Sequence, residues 1–120
     1  MKKIVFLLIL VFCLACSEAE CSHTEAAQIV VESFYQKNFS VLESHTTKES
    51  FESFMDLQEI VPGVDNRNSY FKVIRETENG NIGWVQFSTV YEDQPVTYKL
   101  IKEEGVWKVA EMEMGEKSPF

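Results

Sequence analysis

"YFKVIRETENGNIGWVQFSTVYEDQPVTYKLIKEEGVWKVAEMEM", Tyr70 to Met114, is the stretch that decides the fold. It holds four runs rich in β-branched and aromatic residues, separated by three turn signals, which is the pattern of strands joined by tight connections. "YFKVIRE" reads as the first strand. "ENGN" follows it, and the pair Asn79-Gly80 marks a tight hairpin turn because it accepts positive φ at low cost. "IGWVQFSTVY" is a long second strand, "EDQP" turns it, "VTYKLIK" is the third, "EEG" turns again, and "VWKVAEMEM" is the fourth. The spacing predicts a four-stranded antiparallel meander.

Upstream the apolar period is helical. "SHTEAAQIVVESFYQKNF" opens on Ser22 with Glu25 three residues later, a capping-box spacing, and sets Ala26, Ile29, Val30, Ser33 and Phe34 on one stripe. A helix is expected from about Thr24 to Lys37. Thr46 and Glu49 repeat the capping spacing before "KESFESFMDL", where Phe51, Phe54 and Met55 stand three and four apart, with Val41 and Leu42 on a short helical turn ahead of it. Pro62, Gly63, Asp65, Asn66 and Asn68 then form a loop. Helices first and strands after them predict an α+β fold, with the helices on one face of a curved four-stranded antiparallel sheet. That domain occupies residues 24–114, followed by a C-terminal tail over residues 115–120.

The N-terminus carries an address. Lys2 and Lys3 precede an unbroken apolar run from Ile4 to Ala15, the order of a secretory signal peptide. The run is too short to span a bilayer, which takes roughly 20 apolar residues. "LAC", ending at Cys16, resembles the lipobox of bacterial lipoproteins, although Cys13 stands where Leu, Val or Ile is usual. The resemblance implies cleavage after residue 15, lipidation of Cys16, and a lipid-anchored tether over residues 16–23. The acidic "SEAE" behind Cys16 resembles a surface-export signal, and Ser17 does not resemble the Asp of inner-membrane retention. The expected location is the bacterial cell envelope, on an outer-membrane anchor.

With Cys13 removed and Cys16 lipidated, Cys21 is left alone, which argues against a disulfide scaffold. An unlipidated Cys16 would instead be free to bridge to Cys21. Cys21 and His23 offer two zinc ligand types, but a closed site takes four and the sequence adds only a lone His45. No metal and no cofactor is expected.

Eleven basic and nineteen acidic residues give a net charge of −8, and loss of Lys2 and Lys3 with the signal makes it −10. A chain this acidic is a poor match for nucleic acid, and anionic lipid would repel it. Seven of the nine phenylalanines lie beyond residue 15, with both tryptophans and all four tyrosines, enough apolar material for one core.

"YKLIKEEGVWKVAEMEM", Tyr98 to Met114, resembles the closing hairpin of the nuclear transport factor 2-like (cystatin-like α+β) superfamily, and "TEAAQIVVESFYQKNF" resembles its first helix. Together with the lipobox, the chain is most similar to small bacterial lipoproteins of that superfamily with domains of unknown function. The resemblance implies a sheet curled around the first helix into a cone whose mouth holds a small apolar ligand. It also brings in ketosteroid isomerase-like members, which place an acid and a tyrosine inside.

The polar candidates for such a pocket are Tyr35, Arg75, Gln86 and Tyr98, with Tyr98 and Arg75 able to orient a carboxylate by a charge-assisted bond. The acids Glu76, Glu78, Glu92, Asp93, Glu103 and Glu104 fall at turns or strand ends, where a solvated face puts them. His45 reads as a capping or turn residue. No nucleophile triad, phosphate loop or carboxylate pair is legible, and no catalytic residue is assigned.

Strand two is apolar on both faces. Ile82, Trp84 and Val90 alternate with Val85, Phe87 and Tyr91, and only one set can pack on the helices. Ile82, Trp84 and Val90 are therefore a candidate interface, for a homodimer as the resemblance implies or for an envelope protein partner. The leading expectation is a non-enzymatic, envelope-anchored lipoprotein that binds a small apolar ligand or a protein. The alternatives are a ketosteroid isomerase-like enzyme and an inhibitor or immunity-type lipoprotein whose acidic surface blocks a basic target.

Overall fold

Ser22 starts the first helix as its sequence spacing requires: its hydroxyl accepts a hydrogen bond from the backbone N–H of Glu25 at 3.1 Å. The computed structural model describes residues 21–63 and 68–120. The expected signal segment, Cys16 and the expected tether as far as Glu20 lie outside the described residues, as do Asp65 and Asn66 of the expected loop.

Helix α1 spans His23–Tyr35 and buries Ala26, Ala27, Val30, Val31, Ser33 and Phe34. The small residues in that stripe let the helix axis lie close to the sheet. Ile29, expected on the inward stripe, is only half-buried, and Val31, not expected there, is buried instead. The chain reverses at Lys37, whose φ is 59°, and the short helix α2, Phe39–Ser44, brings Leu42 into the core.

Helix α3 covers Lys48–Gln58, and its N-cap is Thr47 rather than Thr46. The Thr47 hydroxyl accepts from the Ser50 N–H at 3.3 Å, while the Thr46 hydroxyl donates back to the Leu42 carbonyl at 2.8 Å. The reason is tertiary: Thr47 N–H donates to the Val109 carbonyl, and Val109 N–H donates to the His45 carbonyl, each at 2.9 Å. The link between α2 and α3 is thus stitched to the edge of the last strand. His45 caps α2, with Nδ1 2.9 Å from the Val41 carbonyl.

The sheet is an antiparallel meander in the order β1 (Lys72–Asn79), β2 (Ile82–Ser88), β3 (Val96–Glu103), β4 (Val106–Ala110). Strand β1 begins two residues later than the sequence implies and carries a bulge that leaves Ile74 without a partner, between Val73 opposite Phe87 and Arg75 opposite Gln86. Strands β2 and β4 are shorter than expected. β2 stops because the Thr89 hydroxyl accepts the Tyr91 N–H at 3.2 Å and turns the chain toward the helices.

One face of the sheet, bearing Val85, Phe87, Leu100, Trp107 and Val109, closes on α1 and α2 to form the core. The opposite face carries Arg75, Trp84, Gln86, Lys99 and Ile101, by the two-residue alternation of paired strands. The chain's own end covers part of it. After β4, mutual bonds between Glu113 and Glu116 close a turn with Gly115 at φ 82°. The Glu116 carboxylate then takes both its oxygens to Lys99 Nζ, at 2.8 and 2.9 Å, and the Arg75 guanidinium lies over the Phe120 ring, 5.0 Å from its centroid. Between the two anchors, Trp84 is only 9% exposed.

Candidate functional site

Where α1 ends, three elements fail to close on one another. Helix α1 supplies Val31, Phe34 and Tyr35, and α3 supplies Phe54 and Leu57. The inner sheet face supplies Phe87, Val96 and Tyr98, and the β2–β3 connection supplies Thr89 and Glu92. Together with Val61 they enclose a cavity of about 280 Å³. A cavity of roughly 150 Å³ accepts benzene, so this one has room for about a dozen heavy atoms.

Aromatic packing makes its walls stiff. Phe34 meets Phe54 at 5.2 Å between centroids, and Tyr98 stands edge-on to Phe87 at 4.9 Å. Tyr35 stacks on Tyr91 at 4.1 Å, which holds the β2–β3 connection against the end of α1.

The polar groups gather at one corner. Tyr35 Oη donates to Glu92 Oε1 at 2.7 Å. Burial, and then the Glu92 carboxylate beside it, push the Tyr35 hydroxyl well above the usual tyrosine range. Tyr98 is pushed up as well, first by burial and then by the proximity of Tyr35 and Glu92. Both phenols therefore stay protonated as hydrogen-bond donors at neutral pH. Tyr35, Val61 and Glu92 also border a second, more open hollow of about 330 Å³, with Ile60, Pro62, Val90 and Tyr91 on its far side.

The four expected pocket residues separate into two pairs. Tyr35 and Tyr98 line the cavity. Arg75 and Gln86 lie on the opposite sheet face, where Arg75 Nε donates to Gln86 Oε1 at 2.8 Å. Register explains the split: Gln86 sits opposite Thr97 and Val85 opposite Tyr98, so the sheet itself stands between Tyr98 and Arg75. They cannot orient one carboxylate together. Glu92, which the sequence places in a solvated turn, is the acid that reaches the cavity, and no local pattern announces a contact between residues 35 and 92.

The expected interface residues also part. Ile82, 42% exposed, and Trp84 share the outer face of β2, but Val90 lies beyond the strand, beside the open hollow. Cys21 and His23 point apart. The thiol turns to Glu25 Oε2 at 3.4 Å, whereas the imidazole is buried against Gly83 and lies 5.4 Å from Trp107. Among the described residues no group of three or more potential metal ligands comes together, and no helix there is long and apolar enough to cross a membrane.

No family model, curated protein or solved structure matches the chain.

Proposed function

We propose that this protein is an envelope-anchored lipoprotein whose α+β domain holds a small, largely apolar molecule in the cavity between α1, α3 and the sheet. The signal-like run before Cys16 and the lipobox-like "LAC" support the anchor, and the resemblance to the nuclear transport factor 2-like cone supports the placement of a pocket at the end of the first helix. The observation that carries the binding reading is the cavity itself: about 280 Å³, walled by aliphatic and aromatic side chains, with Tyr35, Tyr98 and Glu92 at one corner. Apolar walls with a few convergent polar groups are the usual composition of small-molecule sites. The matching ligand has an apolar body and one neutral polar end, such as a hydroxyl or carbonyl, because a carboxylate would meet Glu92.

A para-alkyl phenol is a suitable probe. At roughly 0.3–0.5 kcal/mol per heavy atom, a ligand of about a dozen atoms binds with a dissociation constant on the order of 1 mM or tighter. Titration followed by NMR should shift resonances of Val31, Phe54, Val96 and Tyr98. Leu57 is half exposed at the mouth, so Leu57→Trp fills the space without disturbing the core and should abolish those shifts. Shifts spread over the whole surface, or unchanged by Leu57→Trp, would refute the pocket. Separately, Cys16→Ser should release the protein from membranes, and an unmodified Cys16 in the membrane fraction would refute the anchor.

A further inference from the structure

We propose that the sheet face opposite the helices is a binding surface for a partner-protein segment carrying a carboxylate and, four residues later, an aromatic ring, and that residues 113–120 occupy it as an internal stand-in. This goes beyond the cavity and does not depend on it.

The chemistry of the face sets the ligand. The protein is strongly acidic overall, yet this face gathers cations from three strands: Arg75 on β1, Lys99 on β3 and Lys108 on β4. Lys99 is 8% exposed. A buried ammonium without a partner is costly, so the site demands a carboxylate, and Glu116 answers with both oxygens. Arg75 is held in place by a ladder that crosses the sheet, from Arg75 Nε to Gln86 Oε1 at 2.8 Å and from Gln86 Nε2 to Thr97 Oγ1 at 3.4 Å. A guanidinium fixed in this way offers its flat side to a ring, and Phe120 takes it. Trp84, 9% exposed, sits on β2 between the strands that carry the two cations.

The stand-in is built to be displaced. Among the described residues no backbone hydrogen bond joins 117–120 to the sheet, so side chains alone hold it. The segment leading into it, residues 111–115, is exposed throughout, Met114 completely. It turns at Gly115, where φ is 82°. A partner's segment of the same chemistry would meet the same two cations once the strap lifts. Attraction of acidic segments to Arg75 and Lys99 would favour the encounter.

The test uses a fluorescent peptide of the sequence Glu113–Phe120, the wild-type protein, and the full chain carrying Glu116→Gln with Phe120→Ala, which opens the strap. A tethered segment competes at millimolar effective concentration, so the open variant should bind the peptide about ten-fold more tightly than wild type. Trp84 emission should change on binding. The same peptide carrying Glu116→Gln and Phe120→Ala should not bind, and Lys99→Met in the open variant should abolish the interaction. Equal binding to wild type and open variant, or none to either while circular dichroism shows both folded, overturns the proposal. If the open variant does not fold, the wild-type protein is titrated with peptide to millimolar concentration and the Trp84 indole N–H followed by NMR. A saturable shift supports displacement, and an unmoved resonance overturns it. If the wild-type domain dimerises in sedimentation and Glu116→Gln abolishes the dimer, the occupant is the strap of a second copy and the partner-segment assignment is overturned.

Discussion

A methyl group on Gly83 would stand 2.9 Å from the imidazole of His23. Helix α1 docks its first residue on the only position of β2 that has no side chain, and the ring also lies 5.4 Å from Trp107. Gly83→Ala must therefore push the helix start outward, at a cost of about 1–3 kcal/mol. His23→Ala in the same chain should recover most of that loss, since among the described residues His23 Nε2 has no hydrogen-bond partner to lose. Urea unfolding of the two single variants and the double variant measures the coupling, and strictly additive costs would contradict the packing described.

Trp107 is 4% exposed and lies in the core beside Val109, Leu100 and α1. Trp107→Ala should cost about 3–5 kcal/mol in the same unfolding experiment. Trp84, on the outer face away from the helices, should cost less. A smaller loss for Trp107 than for Trp84 would mean that the faces of the sheet are reversed.

Glu116 titrates below the ordinary carboxylate range because Lys99 donates to it and the Glu113 N–H adds a second bond, with partial desolvation opposing. A pKa that is lower in the folded state stabilises the strap above the unfolded carboxylate value and loses that contribution as pH falls through the folded value. Acidification should thus release residues 116–120 first, seen as increased water exposure of Trp84 fluorescence before the helices melt. The Glu116→Gln variant should lose this acid transition, and its persistence would locate the event elsewhere.

At the alkaline end the sign reverses. The phenols of Tyr35 and Tyr98 ionise above the usual tyrosine value, held protonated chiefly by burial. Their contribution to stability is complete below the unfolded tyrosine pKa and is lost as pH rises through the folded values. Phenolate absorbance should show Tyr35 and Tyr98 titrating late in the native protein and losing that delay once urea unfolds it. In Tyr98→Phe the late Tyr35 phenol should remain. Native titration of Tyr35 and Tyr98 at the unfolded value would place the cavity corner in free solvent.

Local chemistry made the elements legible, and long-range closure did not. Ser22 and Glu25 marked the helix start, because a cap is a bond between residues three apart. The turn expected over Glu103–Gly105 is one residue tighter: Glu103 pairs with Val106, and Glu104 and Gly105, both with positive φ, occupy its two central positions. The first hairpin turns one residue later than the Asn-Gly pair implies. Asn79 pairs with Ile82, leaving Gly80 and Asn81 as the loop, with the positive φ at Gly80. At Thr46 and Thr47 two equivalent caps compete in the sequence, and only bonding to Val109, more than sixty positions away, decides between them. The candidate site failed for the same reason. Alternation along β2 and β3 already separates Gln86 from Tyr98, but the bulge at Ile74 that fixes the register of Arg75 has no signature of its own. The part played by residues 115–120 was also invisible, since nothing in a short tail says which face it will lie across.

Helix α1 carries a directional consequence. Thirteen residues at about 1.5 Å each put roughly 20 Å between its two ends. At one end His23 rests beside Gly83 and Trp107, next to the hairpin turns at Gly80–Asn81 and Glu104–Gly105; at the other, Tyr35 borders the cavity. Cys21 sits at the hairpin-turn end of the domain, with the length of α1 between its thiol and the cavity, so a group attached there would leave the cavity corner uncovered.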